Sequence, residues 1–320
     1  MVSAARLRTL VAFEDLIDPV SEAFRQSSAG QAQNGLVVML PADRPDMGDV
    51  YVKTGVLAGH PVHIVKVSPW FATNVASGAP QGGFIAVLDS STGHTLAILN
   101  EEHYLSDIRT AAAGALAARM LAPEQVITAA VLGAGVQAYW QTLALFRERP
   151  FKRLLIWARD GGKAASLSAR LQPHLPGVTV SVAKSVEPAV READVLITTT
   201  LAREPLVKGV WLRPGQHITA IGADDPGKCE LDADVLLRAR VFVDSRESAL
   251  SNGDIHRAIR AGDYDPERIA GEIGDILSGH LPGRTSPSDI TLAKFVGIGA
   301  LDLVAAETAI ARLMPDAFGP

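Results

Sequence analysis

The chain has 320 residues, of which 48% are hydrophobic and 20% charged, and it carries a formal net charge of -5. This composition is typical of a globular protein long enough for two domains, and it disfavours binding to nucleic acid or to an anionic membrane surface. The single cysteine, Cys229, excludes an intramolecular disulfide and a cysteine-based metal cluster. We expect a cytoplasmic protein without a signal peptide or a membrane-spanning segment.

The first third of the chain predicts one helix followed by a sheet. A helical segment at residues 19–29 precedes five β-type runs that are separated by turn signals such as Ser90-Ser91-Thr92-Gly93. The runs cover residues 36–40, 50–53, 62–67, 84–88 and 96–99. We expect a small α+β domain with an antiparallel or mixed sheet.

An alanine-rich helix is predicted next, and it bridges to a second domain. It begins near Ser106, a plausible N-cap, with Asp107 in its first turn, and it runs to about residue 121.

Strands and helices alternate from residue 126 onward, which is the pattern of a parallel sheet with helical crossovers. The predicted strands cover residues 126–132, 154–158, 178–182, 195–199, 217–221 and 241–244, and a Gly/Ala-rich helix follows at 297–313. The predicted fold class is α/β, a Rossmann-type doubly wound sheet plus a smaller α+β domain. We place the smaller domain at 1–112, completed by 297–320, and the Rossmann domain at 113–296.

A glycine loop at the start of the second domain predicts a dinucleotide site. The first predicted strand ends directly in Gly133-Ala134-Gly135-Val136-Gln137-Ala138, a G-x-G-x-x-A pattern that opens a helix. Gly133 allows a tight turn, Gly135 allows backbone to approach a pyrophosphate, and Ala138 keeps the helix close to the strand. An ordinary strand-to-helix turn is the alternative.

The end of the second Rossmann strand bears on the choice of cofactor. An NAD-binding fold usually has an acidic residue there, but this chain has Ala158 followed by Arg159 and Asp160. An arginine can pair with a 2′-phosphate, so we favour NADP(H). Asp160 keeps NAD(H) possible, and Arg159 could also be an ordinary solvated charge.

Three further residues are candidates for substrate chemistry. Lys66 is a lone lysine in an apolar run, Arg109 lies at the predicted helix start, and Asp224 follows a Rossmann strand, where ligands bind. The positive end of the helix and the guanidinium group of Arg109 together suit a carboxylate. Each also has a structural explanation: Lys66 could extend to solvent, Arg109 could pair with Asp107 or Glu102, and Asp224 could be a turn residue.

With these residues the chain resembles the ornithine cyclodeaminase/μ-crystallin family from about residue 49 to residue 303. The resemblance depends on several short segments taken together, since no single one is specific. The segments are Asp49-Val50-Tyr51-Val52-Lys53-Thr54-Gly55, Lys66-Val67-Ser68, Arg109-Thr110-Ala111-Ala112-Ala113, the Gly133 loop, Gly222-Ala223-Asp224-Asp225-Pro226-Gly227-Lys228 with Glu230-Leu231, and Gly283-Arg284.

The resemblance implies a homodimer that acts on a small amino or imino acid. It implies that Lys66 and Arg109 hold the substrate carboxylate, that Asp224 handles the substrate amine, and that Val296 lines the substrate pocket. It also implies cofactor contacts from Val136, Gln137, Thr200 and Lys228. The histidines show no metal-ligand spacing, so we expect no metal.

The chain departs from the family pattern at one position. Members of this family commonly carry a further carboxylate-binding arginine where this chain has Gly35 or Val38. Either another group such as Arg44 compensates or the substrate is not a free α-amino acid. Lys53 is harder to place, and we expect a structural surface lysine.

Three functions remain open from the sequence. The first is a cyclodeaminase-type reaction, in which an amino acid is oxidised to an imine, cyclises with loss of ammonia and takes the hydride back. The second is an NADPH-dependent ketimine reductase, of the pyrroline-2-carboxylate type, or an amino acid dehydrogenase. The third is a non-catalytic nucleotide-binding protein of the μ-crystallin type.

Overall fold

The structure is a computed structural model that describes residues 1–40, 47–79 and 81–315. By internal contacts the chain divides into two compact units, one formed by residues 1–112 and 298–320 and the other by residues 113–297.

The first unit contains a six-stranded sheet and helices. Its elements are β1 (Val2–Ser3), α1 (Ala4–Leu10), α2 (Ile17–Ser28), β2 (Ala32–Met39), β3 (Gly48–Leu57), β4 (Val62–Phe71), α3 (Ala72–Ser77), β5 (Phe84–Asp89), β6 (Thr95–Asn100) and α4 (Tyr104–Leu121), whose last turns belong to the second unit. The strand order is β1-β6-β5-β4-β3-β2. All neighbouring strands are antiparallel except β1 and β6, so the sheet is mixed.

The second unit contains an eight-stranded parallel sheet with helical crossovers. Its elements are β7 (Thr128–Leu132), α5 (Val136–Glu148), β8 (Arg153–Trp157), α6 (Gly161–Leu171), β9 (Thr179–Val182), α7 (Val186–Glu192), β10 (Val195–Thr198), β11 (His217–Ala220), α8 (Ala233–Arg238), β12 (Arg240–Val243), α9 (Arg246–Ser251), α10 (Gly253–Ala261), β13 (Ile269–Glu272), α11 (Ile273–Leu277) and β14 (Thr291–Lys294). The chain then returns to the first unit as α12 (Gly299–Leu313).

The strand order of this sheet is β13-β12-β14-β11-β10-β7-β8-β9, and all of its strand pairs are parallel. Alternate residues of β7 enter two different apolar clusters: Ala130 and Leu132 pack in one, Ala129 and Val131 in the other. This alternation is what a sheet covered on both faces requires. The predicted α/β fold class with a second sheet is confirmed. The sequence did not predict β1, β13 and β14.

Glycines let α12 lie directly on β3 in the first unit. A Cβ on Gly55 would collide with the carbonyl oxygen of Gly299, and a Cβ on Gly299 would collide with the carbonyl oxygen of Thr54. Since neither glycine has a side chain, the helix backbone contacts the strand backbone. Asp302, one turn further along α12, is thereby brought to the buried face of the sheet.

No helix within the described part of the chain is long and apolar enough to cross a membrane.

Candidate functional site

The first unit holds a buried cluster of charged side chains centred on Asp302 of α12. One carboxylate oxygen of Asp302, Oδ1, accepts hydrogen bonds from Lys66 Nζ at 3.0 Å and from Arg109 Nε at 2.9 Å. Asp302 is fully buried, and Lys66 and Arg109 are 2% and 7% exposed. The structure thus brings together the two cations that the sequence proposed for a carboxylate site, and adds an acidic partner that the sequence did not identify.

Burial favours the protonated form of Asp302, but the charges of Arg109, Lys66 and Lys53 outweigh it. They hold the pKa of Asp302 well below its usual range, so the carboxylate is ionised. Its second oxygen, Oδ2, is buried without a hydrogen-bond partner among the described residues.

A second acid, Glu101, supports Lys66 through Ser106. Lys66 Nζ donates to Ser106 Oγ, which donates in turn to Glu101 Oε1 at 2.7 Å. Glu101 Oε1 also lies 3.7 Å from Lys66 Nζ, and Oε2 accepts the Ser106 backbone N–H at 2.9 Å. The ammonium group of Lys66 is therefore held by protein oxygens on several sides.

Arg109 has fewer hydrogen-bond partners in the protein than Lys66 has. It pairs with Asp302 through Nε, and no other described residue accepts a hydrogen bond from its guanidinium group. Its two terminal amino groups can therefore donate to a ligand. A fork of two parallel N–H donors suits a carboxylate, so Arg109 is the better-placed donor of the two cations.

His103 lies beside this cluster in a strained backbone conformation. Glu102 and His103 both have positive φ, at 49° and 65°, which L-residues rarely adopt. His103 Nε2 is 2.9 Å from the Pro69 carbonyl oxygen, so this nitrogen carries the proton. Burial and then the charge of Lys66 lower the pKa of His103, which favours the neutral ring.

Three local expectations about this region were wrong. Helix α4 begins at Tyr104, two residues before the predicted N-cap, so Ser106 lies inside the helix and Arg109 in its second turn. Because Glu101 accepts the Ser106 N–H, the cap function passes to Glu101. Strand β4 extends to Phe71 rather than ending at residue 67, so Lys66 lies in the middle of the strand. Lys53, expected on the surface, is buried, with 8% of its area exposed.

The second unit has the backbone geometry of a dinucleotide site. Gly133 follows β7 with φ of 125°, a conformation that favours glycine, and a Cβ there would collide with Thr199. Gly135 is the N-cap of α5 and is exposed, and a Cβ there would meet no protein atom within 4 Å. Ala138 is fully buried against the sheet.

These observations fit a nicotinamide dinucleotide. No side chain caps α5, so the N–H groups of its first turn, which includes Val136 and Gln137, can bind phosphate. Arg159 is exposed beyond the end of β8, and it makes no hydrogen bond or ion pair with the described residues. Asp160 uses Oδ1 to cap α6, accepting from Gly162 N and Lys163 N.

The loop after β11 carries Asp224 and is fixed by short contacts. Lys228 Nζ donates to Asp224 Oδ1 at 2.6 Å and lies 3.4 Å from Asp225 Oδ2. Asp225 Oδ1 accepts the N–H groups of Gly227 and Lys228. The Asp224 side chain is 39% exposed, so its carboxylate reaches solvent while its loop is held.

A buried ionic network lies beneath this loop. Glu230 accepts hydrogen bonds from Thr200 N at 2.6 Å, Gly222 N at 2.8 Å and Thr198 Oγ1 at 2.7 Å. Burial and the nearby Asp254 raise the pKa of Glu230. One carboxylate thus ties Thr200, a predicted cofactor contact, to the Asp224 loop.

Lys294 completes this network from β14. Its Nζ donates to the Ala223 carbonyl at 2.6 Å and forms an ion pair with Asp254 at 2.9 Å. Burial acts to lower the pKa of Lys294, but Asp254 and Glu230 outweigh burial and raise it. Val296, two residues later, is buried, and its N–H donates to Asp244 Oδ2.

Sequence reasoning missed Asp302, Glu101, Asp254 and Lys294 as members of these clusters. The available signal was a lone charge in an apolar segment, because a charged side chain buried in such a segment needs an ionic partner. Asp302 in Ala300-Leu301-Asp302-Leu303-Val304 and Lys294 in Leu292-Ala293-Lys294-Phe295 both show it.

Arg44, the proposed substitute for the missing arginine, lies outside the described residues. Among the described residues, no group of three or more acidic, histidine or cysteine side chains could hold a metal ion.

Comparison with known proteins identifies the family of this chain. The model of the ornithine cyclodeaminase/mu-crystallin family matches residues 1–314. A Δ1-pyrroline-2-carboxylate reductase of Bacillus cereus is 30% identical over 100% of this chain and 98% of its own length.

Two solved structures are also similar. One is the Thermococcus litoralis Δ1-pyrroline-2-carboxylate reductase in complex with NADH and L-proline, at 28% identity and a TM-score of 0.92, covering 98% of this chain and 97% of that one. The other is an archaeal alanine dehydrogenase dimer with bound NAD, at 29% identity and a TM-score of 0.90, covering 100% and 97%. The protein therefore belongs to the ornithine cyclodeaminase/mu-crystallin family.

Proposed function

We propose that this protein is an NAD(P)-dependent enzyme that oxidises or reduces the carbon–nitrogen bond of an amino or imino acid. The observation that carries the proposal is the pairing of Arg109 and Lys66 on one carboxylate oxygen of Asp302, with the terminal amino groups of Arg109 left for a ligand. Relatives named as pyrroline-2-carboxylate reductase and alanine dehydrogenase support the same chemistry.

In this proposal the chain's own residues bind and orient the substrate. Arg109 donates to the α-carboxylate, and Lys66 adds positive charge while it remains bonded to Asp302 and Ser106. Asp224 exchanges a proton with the substrate nitrogen, because its carboxylate is partly exposed and its loop is fixed by Glu230 and Lys294. Val296 lines the substrate pocket.

The glycine loop and the first turn of α5 hold the dinucleotide, together with Thr200 and Lys228. When bound, this cofactor supplies or accepts the hydride. Lys228 pairs with Asp224 in the structure, so it links the predicted cofactor contacts to the predicted acid and base.

We favour the reductive direction, as a ketimine reductase or amino acid dehydrogenase. An assay that follows NADPH absorbance with Δ1-pyrroline-2-carboxylate and with pyruvate plus ammonia tests this directly. We expect net consumption of NADPH with at least one of them. A complete lack of consumption, together with ammonia and proline formed from ornithine without net cofactor change, would instead establish the cyclodeaminase.

Cyclodeaminase chemistry is the second candidate, and Asp224 favours it. A partly exposed carboxylate paired with Lys228 can take protons both from the amine that is oxidised and from the amine that cyclises. Oxidation, cyclisation with loss of ammonia and hydride return all need the same carboxylate and cofactor sites. The clusters around Asp302 and Asp224 argue against a non-catalytic role.

NADP(H) is the proposed cofactor. Arg159 is exposed without a partner among the described residues, whereas Asp160 uses one carboxylate oxygen to cap α6. Catalytic efficiency measured with both cofactors should be higher with NADPH, and Arg159→Ala should lower it for NADPH much more than for NADH. A strong wild-type preference for NADH would exclude this assignment.

A homodimer is proposed from the edge of the first sheet. Among the strands of the described residues, β2 pairs with β3 alone, and five consecutive apolar residues, Leu36 to Leu40, are each 37–58% exposed. An exposed apolar edge strand is an aggregation hazard unless a partner covers it, and a second copy of the chain is the partner we propose. Sedimentation analysis should show a wild-type dimer that Val37→Lys with Met39→Lys dissociates; a wild-type monomer would contradict it.

A further inference from the structure

His103 lies over the face of strand β4 that carries Lys66. Lys66 and Ser68 are two residues apart on this strand, so their side chains lie on the same face of the sheet. His103 Nε2 lies 3.4 Å from Ser68 Oγ and 2.9 Å from the Pro69 carbonyl oxygen. The charges of Lys66 and Asp302 both reach the ring. His103 is therefore a neighbour of the cluster that the proposed function uses as a carboxylate site.

The ring of His103 presents one nitrogen as an acceptor. Since Nε2 donates to the Pro69 carbonyl oxygen, a neutral ring carries no proton on Nδ1. Burial and then the charge of Lys66 lower the pKa of His103, and the nearby Glu101 and Asp302 offset only part of this effect. The ring is therefore neutral and takes up a proton poorly. Its Nδ1 accepts a hydrogen bond but is a weak base.

This acceptor has no donor among the residues that the structure describes. Both contacts of the ring, to Ser68 and to Pro69, involve Nε2. The ring is partly exposed, and Nδ1 is not one of the buried side-chain atoms that lack a hydrogen-bond partner. This nitrogen therefore reaches open space, where a ligand can donate to it.

The backbone that holds the ring is strained. Glu102 and His103 have φ of 49° and 65°, which only glycine adopts readily. Hydrogen bonds fix the turn, because Tyr104 N donates to the Glu101 carbonyl at 2.9 Å and Asp107 N donates to the His103 carbonyl at 2.8 Å. Strain of this kind is concentrated at active sites and ligand-binding segments. It points to a role for the side chain that the turn presents.

We propose that His103 is a specificity residue whose Nδ1 accepts a hydrogen bond from an N–H group next to the carboxylate of the substrate. This inference depends on the proposed function, because it adds a residue to the same site. Arg109 and Lys66 are donors and cannot accept from an N–H group. An amino or imino acid carries its nitrogen one carbon from the carboxylate, so an acceptor beside the carboxylate site suits it. A ligand with oxygen in that place would bring two acceptors together.

The test is binding of two matched probes, pyrrole-2-carboxylate and furan-2-carboxylate. Both are planar five-membered rings with the same carboxylate, and they differ in having an N–H group or an oxygen atom in the ring. Calorimetric titration of the full chain gives Kd for each. We expect wild type to bind pyrrole-2-carboxylate at least about fivefold more tightly, which is the effect of one ordinary hydrogen bond. Equal binding, tighter binding of furan-2-carboxylate, or binding of neither probe would overturn the proposal.

Two variants that lack the acceptor assign the preference to His103. In His103→Leu and in His103→Gly the two Kd values should come together. Glycine adopts the positive φ without strain, so His103→Gly provides a folded variant if His103→Leu does not fold, and thermal melts check both. A general loosening of the site would weaken both probes alike, so the ratio of Kd values reports the contact itself.

His94→Leu is the matched control, because His94 is exposed in the same unit. It should keep the wild-type preference for pyrrole-2-carboxylate. A preference that survives in a folded variant without His103 would overturn the proposal, as would loss of the preference in His94→Leu.

These measurements separate this inference from the proposed function. Binding ratios are read without turnover, so absence of hydride transfer with every substrate would contradict the proposed function alone. Turnover with an unchanged ratio in His103→Leu or His103→Gly would contradict the role of His103 alone.

Discussion

At the scale of single residues, the two clusters place charges where the protein gains little stability from them. Asp302 compensates two buried cations with one oxygen, and Asp224 stays partly exposed in an ion pair with Lys228. Buried charges cost solvation energy and need partners to persist. The partners found here hold Lys66, Arg109 and Lys294 in place.

Asp224→Asn tests the proposed acid and base. An amide of the same shape cannot exchange the proton, so turnover should fall about 10²–10⁴-fold, the usual contribution of general acid–base catalysis. Cofactor binding, followed by fluorescence titration, should be retained. Asp263→Asn is a suitable control because Asp263 is exposed on the same unit. Unchanged turnover in Asp224→Asn would remove Asp224 from the mechanism.

Asp302→Asn tests whether the carboxylate of Asp302 stabilises the two buried cations, Lys66 and Arg109. Removing this carboxylate leaves Lys66 and Arg109 buried without it, and breaking such a buried pair costs about 3–5 kcal/mol. Urea denaturation should show a loss of this size. Glu192→Gln, which breaks the exposed pair with Arg153, should cost at most about 1 kcal/mol. Similar losses in both variants would contradict the assigned role of Asp302.

At the scale of elements, the contact of α12 with β3 decides where Asp302 lies. Gly55 and Gly299 permit backbone-to-backbone contact, which brings α12 to the face of the sheet that carries Lys53 and Lys66. In the second unit, β14 plays a comparable part, because Lys294 at its end reaches the loop of Asp224.

Gly55→Ala should separate α12 from β3. The added Cβ meets backbone atoms of Gly299, which cannot move aside as a flexible side chain could, and overpacking of this kind costs about 1–3 kcal/mol. Urea denaturation measures the loss. Gly161→Ala is the matched control, because a Cβ on Gly161 meets nothing within 4 Å and its φ is not left-handed. Equal stability of Gly55→Ala and wild type would show that the contact is not tight.

At the scale of the whole molecule, a buried histidine makes folding dependent on pH. His217 is fully buried between the hydroxyls of Thr291 and Thr219. Burial and then the charge of Arg284 lower its pKa to about 3 from the ordinary 6.5. The folded state therefore keeps the ring neutral, whereas the unfolded chain takes up a proton below pH 6.5.

Stability should consequently fall as the pH drops from about 6.5 toward 3. Each pH unit in this window should cost up to about 1.4 kcal/mol from His217. Urea denaturation at several pH values should show a shallower dependence for His217→Gln than for wild type. The exposed His280→Gln should behave as wild type, and a wild-type slope in His217→Gln would contradict the assignment to His217.

The sequence by itself determined the fold class, the family and the type of cofactor. The glycine loop, the alternation of strands and helices and the short motifs are local features, and their physical causes lie within a few residues of the chain. The contacts of Lys66, Arg109 and Asp224 with a bound substrate stay predictions, as do the homodimer and the cytoplasmic location.

Only the tertiary structure decided which charges meet. Asp302 lies 193 residues from Arg109 in sequence and 236 from Lys66, and Lys294 lies 71 residues from Ala223. No local pattern couples such distant residues, since their contact depends on how α12 packs on β3 and on the order of strands in the parallel sheet. Lys53 shows the difference most clearly: by sequence it resembled a surface lysine, and the pairing of β3 with β4 under α12 buries it beside Lys66.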